Sequence, residues 1–382
     1  YLGVMHKEGF FMTEKSKVYI SYLRSKGPRT NKGAKIRGLF DIAGFAGFIA
    51  QNELTAVKLH VGEAGNDAYV SPVLVRQIVD RIKQAGGRPY LTDTNTLYSG
   101  SRHDAVNHLE TALAHGFGME VTGAPFIIAD GLHGGNCKEI SVGLTHFDKV
   151  HIAGDIVDAG SMIVVSHFKG HEMAGFGGAL KNLAMGCAPA IGKKEQHALC
   201  FKVKKEGCIS CRACTLVCPQ HAISLDTDRK AEIDPSLCIG CGECLTVCPK
   251  KTIEIDWATE IDPFLERMVE YAYGAVANKK DRVGYITLVV NVTPLCDCVP
   301  WSDAPIVPDI GFLSSTDPVA IDQAAYDLVK AAEGLADSAL GKALPAGADK
   351  FTHLHDYVDG TKALAYAEKI GMGSRNYELI EL

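Results

Sequence analysis

Between residues 208 and 248 one cysteine pattern is written twice. It reads Cys208, Cys211, Cys214 and Cys218-Pro219, then, thirty residues on, Cys238, Cys241, Cys244 and Cys248-Pro249. Two-residue gaps let a curled backbone set three sulfurs around one face of a cubane, and thiolate is the soft ligand that iron clusters take. In such paired runs the fourth ligand crosses over. Cys208, Cys211, Cys214 and Cys248 are therefore expected to hold one 4Fe-4S cluster, and Cys238, Cys241, Cys244 and Cys218 the other. Pro219 and Pro249 end each run by fixing the backbone and removing an amide donor. Zinc or disulfides are the alternative readings, but twin zinc sites use paired C-x2-C halves with variable linkers rather than a threefold comb closed by proline.

The rest of the chain is too large to be an appendage of this motif. At 382 residues, 47% hydrophobic and 22% charged, it can build two or three domains with proper cores. No apolar run approaches the roughly 20 residues of a membrane helix, and the first residues have no signal-peptide pattern. Met12-Thr13-Glu14-Lys15 reads as a translation start, with residues 1–11 as a leader. Thirteen cysteines without an export signal point to a reducing, cytoplasmic setting, and exposed clusters to an oxygen-poor one such as an anaerobe provides. A formal charge of −6 with no Lys/Arg cluster argues against a nucleic-acid partner.

The flanks alternate strand and helix. Val18–Ile20 and Ala56–Val61 have strand patterns, with a Gly-punctuated helix over 33–48 between them. Ser71-Pro72 caps a helix ending at Gly86-Gly87, and the strand Pro89–Asp93 follows. A helix over His103–His115, strands at Phe126–Ile128 and Met162–Val165 and a short helix Gly178–Met185 continue the pattern. After the cysteine-rich stretch come a strand Tyr285–Val292, a helix capped by Asp317-Pro318 that runs to Gly334, and a last helix Thr361–Ile370. This order predicts an α/β body with a mostly parallel sheet, in parts 12–199 and 257–382, with an α+β iron–sulfur domain inserted at 200–256.

A second constellation follows the strand Met162–Val165, where open α/β sheets place ligands. Lys169, His171, Gly175, Gly177, Gly178, Lys181 and His197 fall within one short stretch. A glycine-rich turn feeding a helix offers amides to an anionic substrate or cofactor, and Lys169 and Lys181 add charge. His171 and His197 can act as acid, base or ligand. After the later strand, Cys296 and Cys298 flank Asp297, two thiols available for an additional metal. Asp93, at the end of its strand, is a further catalytic candidate. Cys137, Cys187 and Cys200 lack partners at ligand spacing and read as structural.

The cysteine module resembles two-cluster bacterial ferredoxins over about 55 residues, which implies low-potential one-electron transfer. Its eight acidic and eight basic residues between Phe201 and Asp256 lack the acidic field of a freely diffusing carrier, which favours an inserted wire to one fixed site. The stretches 167–171, 177–182, 293–298 and 315–322 resemble the domain of unknown function 362 family, uncharacterised proteins often carrying an iron–sulfur insert. The stretch 174–181 is also similar to a segment of nickel-pincer lactate racemases. That likeness implies a related two-part fold, with His171 at the proton-transfer histidine, Lys181 at the cofactor lysine and His197 at the nickel-binding histidine. The residues after Asp93 (94–97) lack the second histidine of a two-base racemase.

The expected function is an iron–sulfur oxidoreductase that exchanges electrons between the module and the His171/Lys181/His197 site, with a ferredoxin or reductase as redox partner. A non-enzymatic electron carrier or maturation partner, and a metal- or pincer-dependent isomerase, are the alternatives. The sequence leaves homo-oligomerisation open.

Overall fold

The computed structural model describes residues 15–98, 100–197, 201–238, 244, 247–250, 252–255 and 261–382. The expected start at Met12, the expected cluster ligand Cys241, and Cys200 and Trp257 lie outside the described residues.

Sixteen strands are described. In chain order they are β1 (Ser16–Tyr22), β2 (Leu54–Lys58), β3 (Arg88–Asp93), β4 (Phe126–Ile128), β5 (Cys137–Ser141), β6 (Lys149–Ala153), β7 (Ser161–His167), β8 (Lys169–His171), β9 (Gly175–Gly177), β10 (Phe201–Val203), β11 (Ile223–Leu225), β12 (Ala231–Ile233), β13 (Ile253–Ile255), β14 (Val283–Val289), β15 (Gly311–Ser315) and β16 (Tyr377–Glu381). Eight of them form one sheet in the order β16-β1-β15-β14-β7-β2-β3-β4. Every neighbouring pair is parallel except the two that β15 makes, with β1 and β14. The protein is thus α/β with a mostly parallel sheet. β14, beyond the cysteine-rich stretch, pairs in register with β7, before it (Tyr285 opposite Val164), so the two flanks share one sheet.

The central strand β7 is buried along its whole length. Its side chains alternate between two cores: Met162 and Val164 join one, Ile163 and Val165 the other. Helices Ala179–Cys187, Ile261–Val276 and Pro318–Ala331 supply the first core, and Lys32–Ile42 and Pro72–Gln84 the second. Covering both faces is why the strands read as continuous apolar runs. The helix expected over 33–48 breaks after Ile42 because Gly44 turns left-handed (φ 73°), and a short 3-10 turn, Phe45–Phe48, completes the segment.

The cysteine-rich stretch has its own small core, built on Phe201, Cys214, Ile223, Ala231, Cys244 and Ile253. Its first and last strands, β10 and β13, pair antiparallel with Phe201 opposite Ile255, so the chain leaves and rejoins the body at neighbouring points. Among the described residues no helix is long and apolar enough to cross a membrane.

Candidate functional site: a thiolate pocket and a cysteine-lined cavity

Parallel strands bring the ends of β2, β3, β7 and β14 to one edge of the sheet. There β7 and β14 keep pairing beyond their last residues: Phe168 N donates to Leu288 O (3.0 Å) and Gly170 N to Thr293 O (2.8 Å). A side chain at Gly170 would meet Pro294 O at 2.2 Å, so only glycine lets β8 run this close to the 294–298 loop. This approach places His171, Cys296 and Cys298 together, with one ligand atom of each within 4.8 Å of the others. Lys181 reaches in from its helix, Nζ to Cys296 Sγ 3.7 Å.

Asp297, between the two cysteines and wholly buried, fixes the loop. Its carboxylate faces Lys169 Nζ at 3.0 Å and His167 Nδ1 at 2.9 Å. His167 Nε2 faces the carbonyls of Val290 and Asn291, both at 3.0 Å. Burial alone would raise the Asp297 pKa, but His167 and Lys169 override it and hold the carboxyl well below the usual range. Burial opposes the charge of Lys169, while Asp297 and Cys296 push its pKa up.

The thiols are polarised against each other. The Cys298 thiol donates to Cys296; that hydrogen bond, helped by Lys181 and Lys169 against burial, holds Cys296 well below the normal thiol range and drives Cys298 up. His171 Nδ1 accepts the backbone N–H of Met173 and of Ala174, each at 3.1 Å. Burial, then Lys181, His197 and Lys169, push its pKa well below the ordinary value, so the ring is neutral. His197, stacked on Phe264 (centroids 5.5 Å apart), is pushed down to about 4 by burial and then Lys181.

Behind the pocket lies a buried charge cluster. Lys58 Nζ meets Asp93 Oδ1 at 3.0 Å and Asn182 Oδ1 at 2.7 Å, while Asn182 Nδ2 donates to Val165 O at 3.0 Å, which pins the Lys181 helix to β7. Arg102 Nε pairs with Glu63 Oε2 (3.1 Å) and Nη2 donates to Tyr98 OH (2.6 Å). Tyr98 OH in turn donates to Cys298 O at 3.2 Å. His108, wholly buried 3.7 Å from Asp93, is pushed down to about 3 by burial.

In the cysteine-rich stretch, Cys208, Cys211, Cys214 and Cys248 line one cavity enclosing about 380 Å³, its mouth included. Left-handed Ser210 (φ 60°) and Arg212 (φ 64°) curl the first comb around it. Backbone amides face the sulfurs, Ala231 N to Cys208 Sγ at 3.5 Å and Thr252 N to Cys248 Sγ at 3.3 Å. Four thiols lining one cavity, two of them faced by backbone amides, fit the surroundings an iron–sulfur cubane takes. Across the stretch Ala222 N donates to Cys218 Sγ at 3.2 Å. Cys238 and Cys244 pack with Cys218 in the same small core, and their partner Cys241 is outside the described residues.

The sequence profile described as "Domain of unknown function (DUF362)" matches residues 55–327, more than half of the chain. The chain belongs to the DUF362 family. No curated protein matches it. Among solved structures it is similar to the lactate racemase apoprotein from Thermoanaerobacterium thermosaccharolyticum, at 10% identity and a TM-score of 0.39, over 80% of this chain and 57% of that one. The chain thus spans little more than half the length of that structure.

Within this DUF362 chain His171, Lys181, Cys296 and Cys298 meet, although the last two lie over a hundred residues from the others. Three of the expected groups have internal partners. The amides at the helix start do not face an open anion site: Ala179 N and Leu180 N donate to the carboxylate of Asp322, at 2.7 and 2.9 Å. Gly178 is there because any side chain would meet Asp322 Oδ1 at 2.2 Å, while Gly175 (φ 74°) and Gly177 begin and end strand β9. Lys169 is committed to Asp297 rather than to an incoming anion. Asp93 is an internal counter-charge to Lys58 rather than an acid open to substrate. Cys187 is buried and, pushed up to about 11 by burial, inert, while Cys137 is partly exposed.

Sequence reasoning gave no individual role to His167, Asp297, Lys58 or Asp322. Lys58 carried a signal, a charge inside the apolar run 56–61. Asp297 lay between two flagged cysteines. Asp322 gave none, since its partners are amides more than 140 residues away.

Proposed function

We propose that this chain is an iron–sulfur redox protein in which two 4Fe-4S clusters exchange electrons with the pocket of His171, Lys181, Cys296 and Cys298. The observation that carries this reading is the cavity where Cys248 joins Cys208, Cys211 and Cys214. That is the crossed set of a two-cluster run, and neither a zinc pair nor a disulfide calls for it. Cys238, Cys241, Cys244 and Cys218 would hold the second cluster. Bound there, the clusters supply one-electron transfer at low potential.

Residues 200–256 act as an inserted domain, a reading supported by the pairing of β10 with β13. In the body, Lys181 sets positive charge against the Cys296 thiolate, and His171 presents a neutral ring beside it. A small anionic substrate fits Lys181, and a ferredoxin or reductase in the cytoplasm is the redox partner.

The test is an anaerobic redox titration of the full chain, with iron content and thiol labelling at Cys296 and Cys298 read together. Reduction of the clusters is expected to change labelling at the pocket, and Cys208→Ser is expected to remove about half the iron and weaken that response. Labelling that ignores the redox state of fully loaded clusters refutes the electron path.

A further inference from the structure

We infer that Cys296 and Cys298 bind one thiophilic transition-metal ion, and that His171, the third member of the cluster, donates an N–H to what the ion holds instead of ligating it. This deepens the reading above and rests on it for the claim that the pocket is the reacting centre.

The sulfurs and a ring nitrogen lie within 4.8 Å of one another, close enough to converge on one ion. Cys296 is 2% exposed, and its loop is clamped by Asp297 to Lys169 (3.0 Å) and His167 (2.9 Å). The pair is thus positioned before any ion arrives. Two thiolates select zinc, nickel, cobalt or copper(I) over magnesium or calcium, which take oxygen. Their two negative charges balance a divalent ion, and Lys181 Nζ stands 3.7 Å from Cys296 Sγ.

The hydrogen bonds of His171 decide its role. Nδ1 accepts from two amides, Met173 N and Ala174 N, at 3.1 Å, while the Glu172 carboxylate stands 3.9 Å from it, outside hydrogen-bond reach. A ring whose Nδ1 accepts two backbone N–H groups carries its proton on Nε2. To ligate a metal through Nε2 the proton would have to move to Nδ1, where it would confront two N–H donors. Metal-bound histidines are held the other way, by an acceptor facing the second nitrogen. With Nδ1 taken up by the two amides, Nε2–H is the remaining donor of the ring, and with Lys181 it makes two donors for an ion with only two protein ligands. The remaining positions suit a small oxygen-bearing anion.

The test uses the anaerobically prepared full chain with zinc as the added metal and formate as the anion. One zinc per chain is expected beyond the iron. X-ray absorption at the zinc edge should show two sulfurs at about 2.3 Å and no imidazole shell. Cys296→Ser and Cys298→Ser should each weaken zinc binding roughly 100-fold or more, whereas His171→Ala should keep it. Formate affinity of the zinc form should fall about tenfold in His171→Ala and be largely restored in His171→Gln, whose side-chain amide again offers an N–H. Zinc lost from His171→Ala as from the cysteine variants, an imidazole shell, or no zinc bound by the wild type overturns the assignment. Iron and sulfide measured on the same samples keep the two readings apart: normal iron without zinc refutes this inference alone, and zinc without iron refutes the cluster reading alone.

Discussion

Lys181 Nζ stands 3.7 Å from Cys296 Sγ, at the end of a helix turn that Asn182 ties to β7. The contact favours the charged form of the thiol, together with the hydrogen bond from Cys298. In chelator-treated protein, Lys181→Met should slow alkylation of Cys296 at pH 7 by roughly tenfold, the effect of about one pKa unit. An unchanged rate, read by mass spectrometry of the labelled peptide, would mean that Lys181 does not polarise the thiol.

Asp297 is wholly buried between His167 and Lys169. Removing its charge leaves Lys169 unpaired in the interior, which costs about 3–5 kcal/mol. Asp297→Asn should lower the urea midpoint accordingly. Because the folded carboxyl is held below its unfolded value, its contribution is present above about pH 4 and is lost as pH falls further. The variant should therefore lose less stability than the wild type on acidification below pH 4.

Asp322 has the opposite sign. Burial raises its pKa to about 7, against the amides of Leu180 and Ala179 that favour the anion. Between about pH 4 and pH 7 the folded state holds a proton that the unfolded state has released, so this group makes stability fall as pH rises across that window. Asp322→Asn should flatten that fall, measured as urea midpoints at pH 5 and pH 8. Parallel curves for variant and wild type would place the proton elsewhere.

Gly170 touches no reacting group, yet a methyl there would meet Pro294 O at 2.2 Å. Gly170→Ala should cost about 1–3 kcal/mol by overpacking. It should also displace the 294–298 loop, so that zinc binding falls while the iron content stays intact. Zinc affinity equal to wild type would show that the loop does not depend on this approach.

What the sequence made legible follows from range. The cysteine combs are local, and their spacing points to the crossed set that lines one cavity, Cys208, Cys211, Cys214 and Cys248. The buried runs of β7 and β14 are local too, and both-face burial gives them a continuous apolar signature. β15 meets β14 across only a few tens of residues, but its antiparallel pairing with β1 joins residues almost 300 apart, which no spacing encodes. The glycine turn at 175–178 misled for a related reason. The amides of Ala179 and Leu180 that follow it do meet a carboxyl group, but it is the chain's own Asp322, carried in by a helix from the far flank. Likewise, His171 and Cys296 looked separately reactive, and only the β8 contact to the 294 loop shows that they share a pocket.

What fills the cysteine-lined cavity decides between iron–sulfur clusters and zinc. Iron and acid-labile sulfide, counted per chain in anaerobically purified protein, should each come to about eight, with about four lost in Cys248→Ser as the crossed ligand set requires. Zinc in place of iron, or a Cys248→Ser protein with its full iron complement, would contradict the cluster reading.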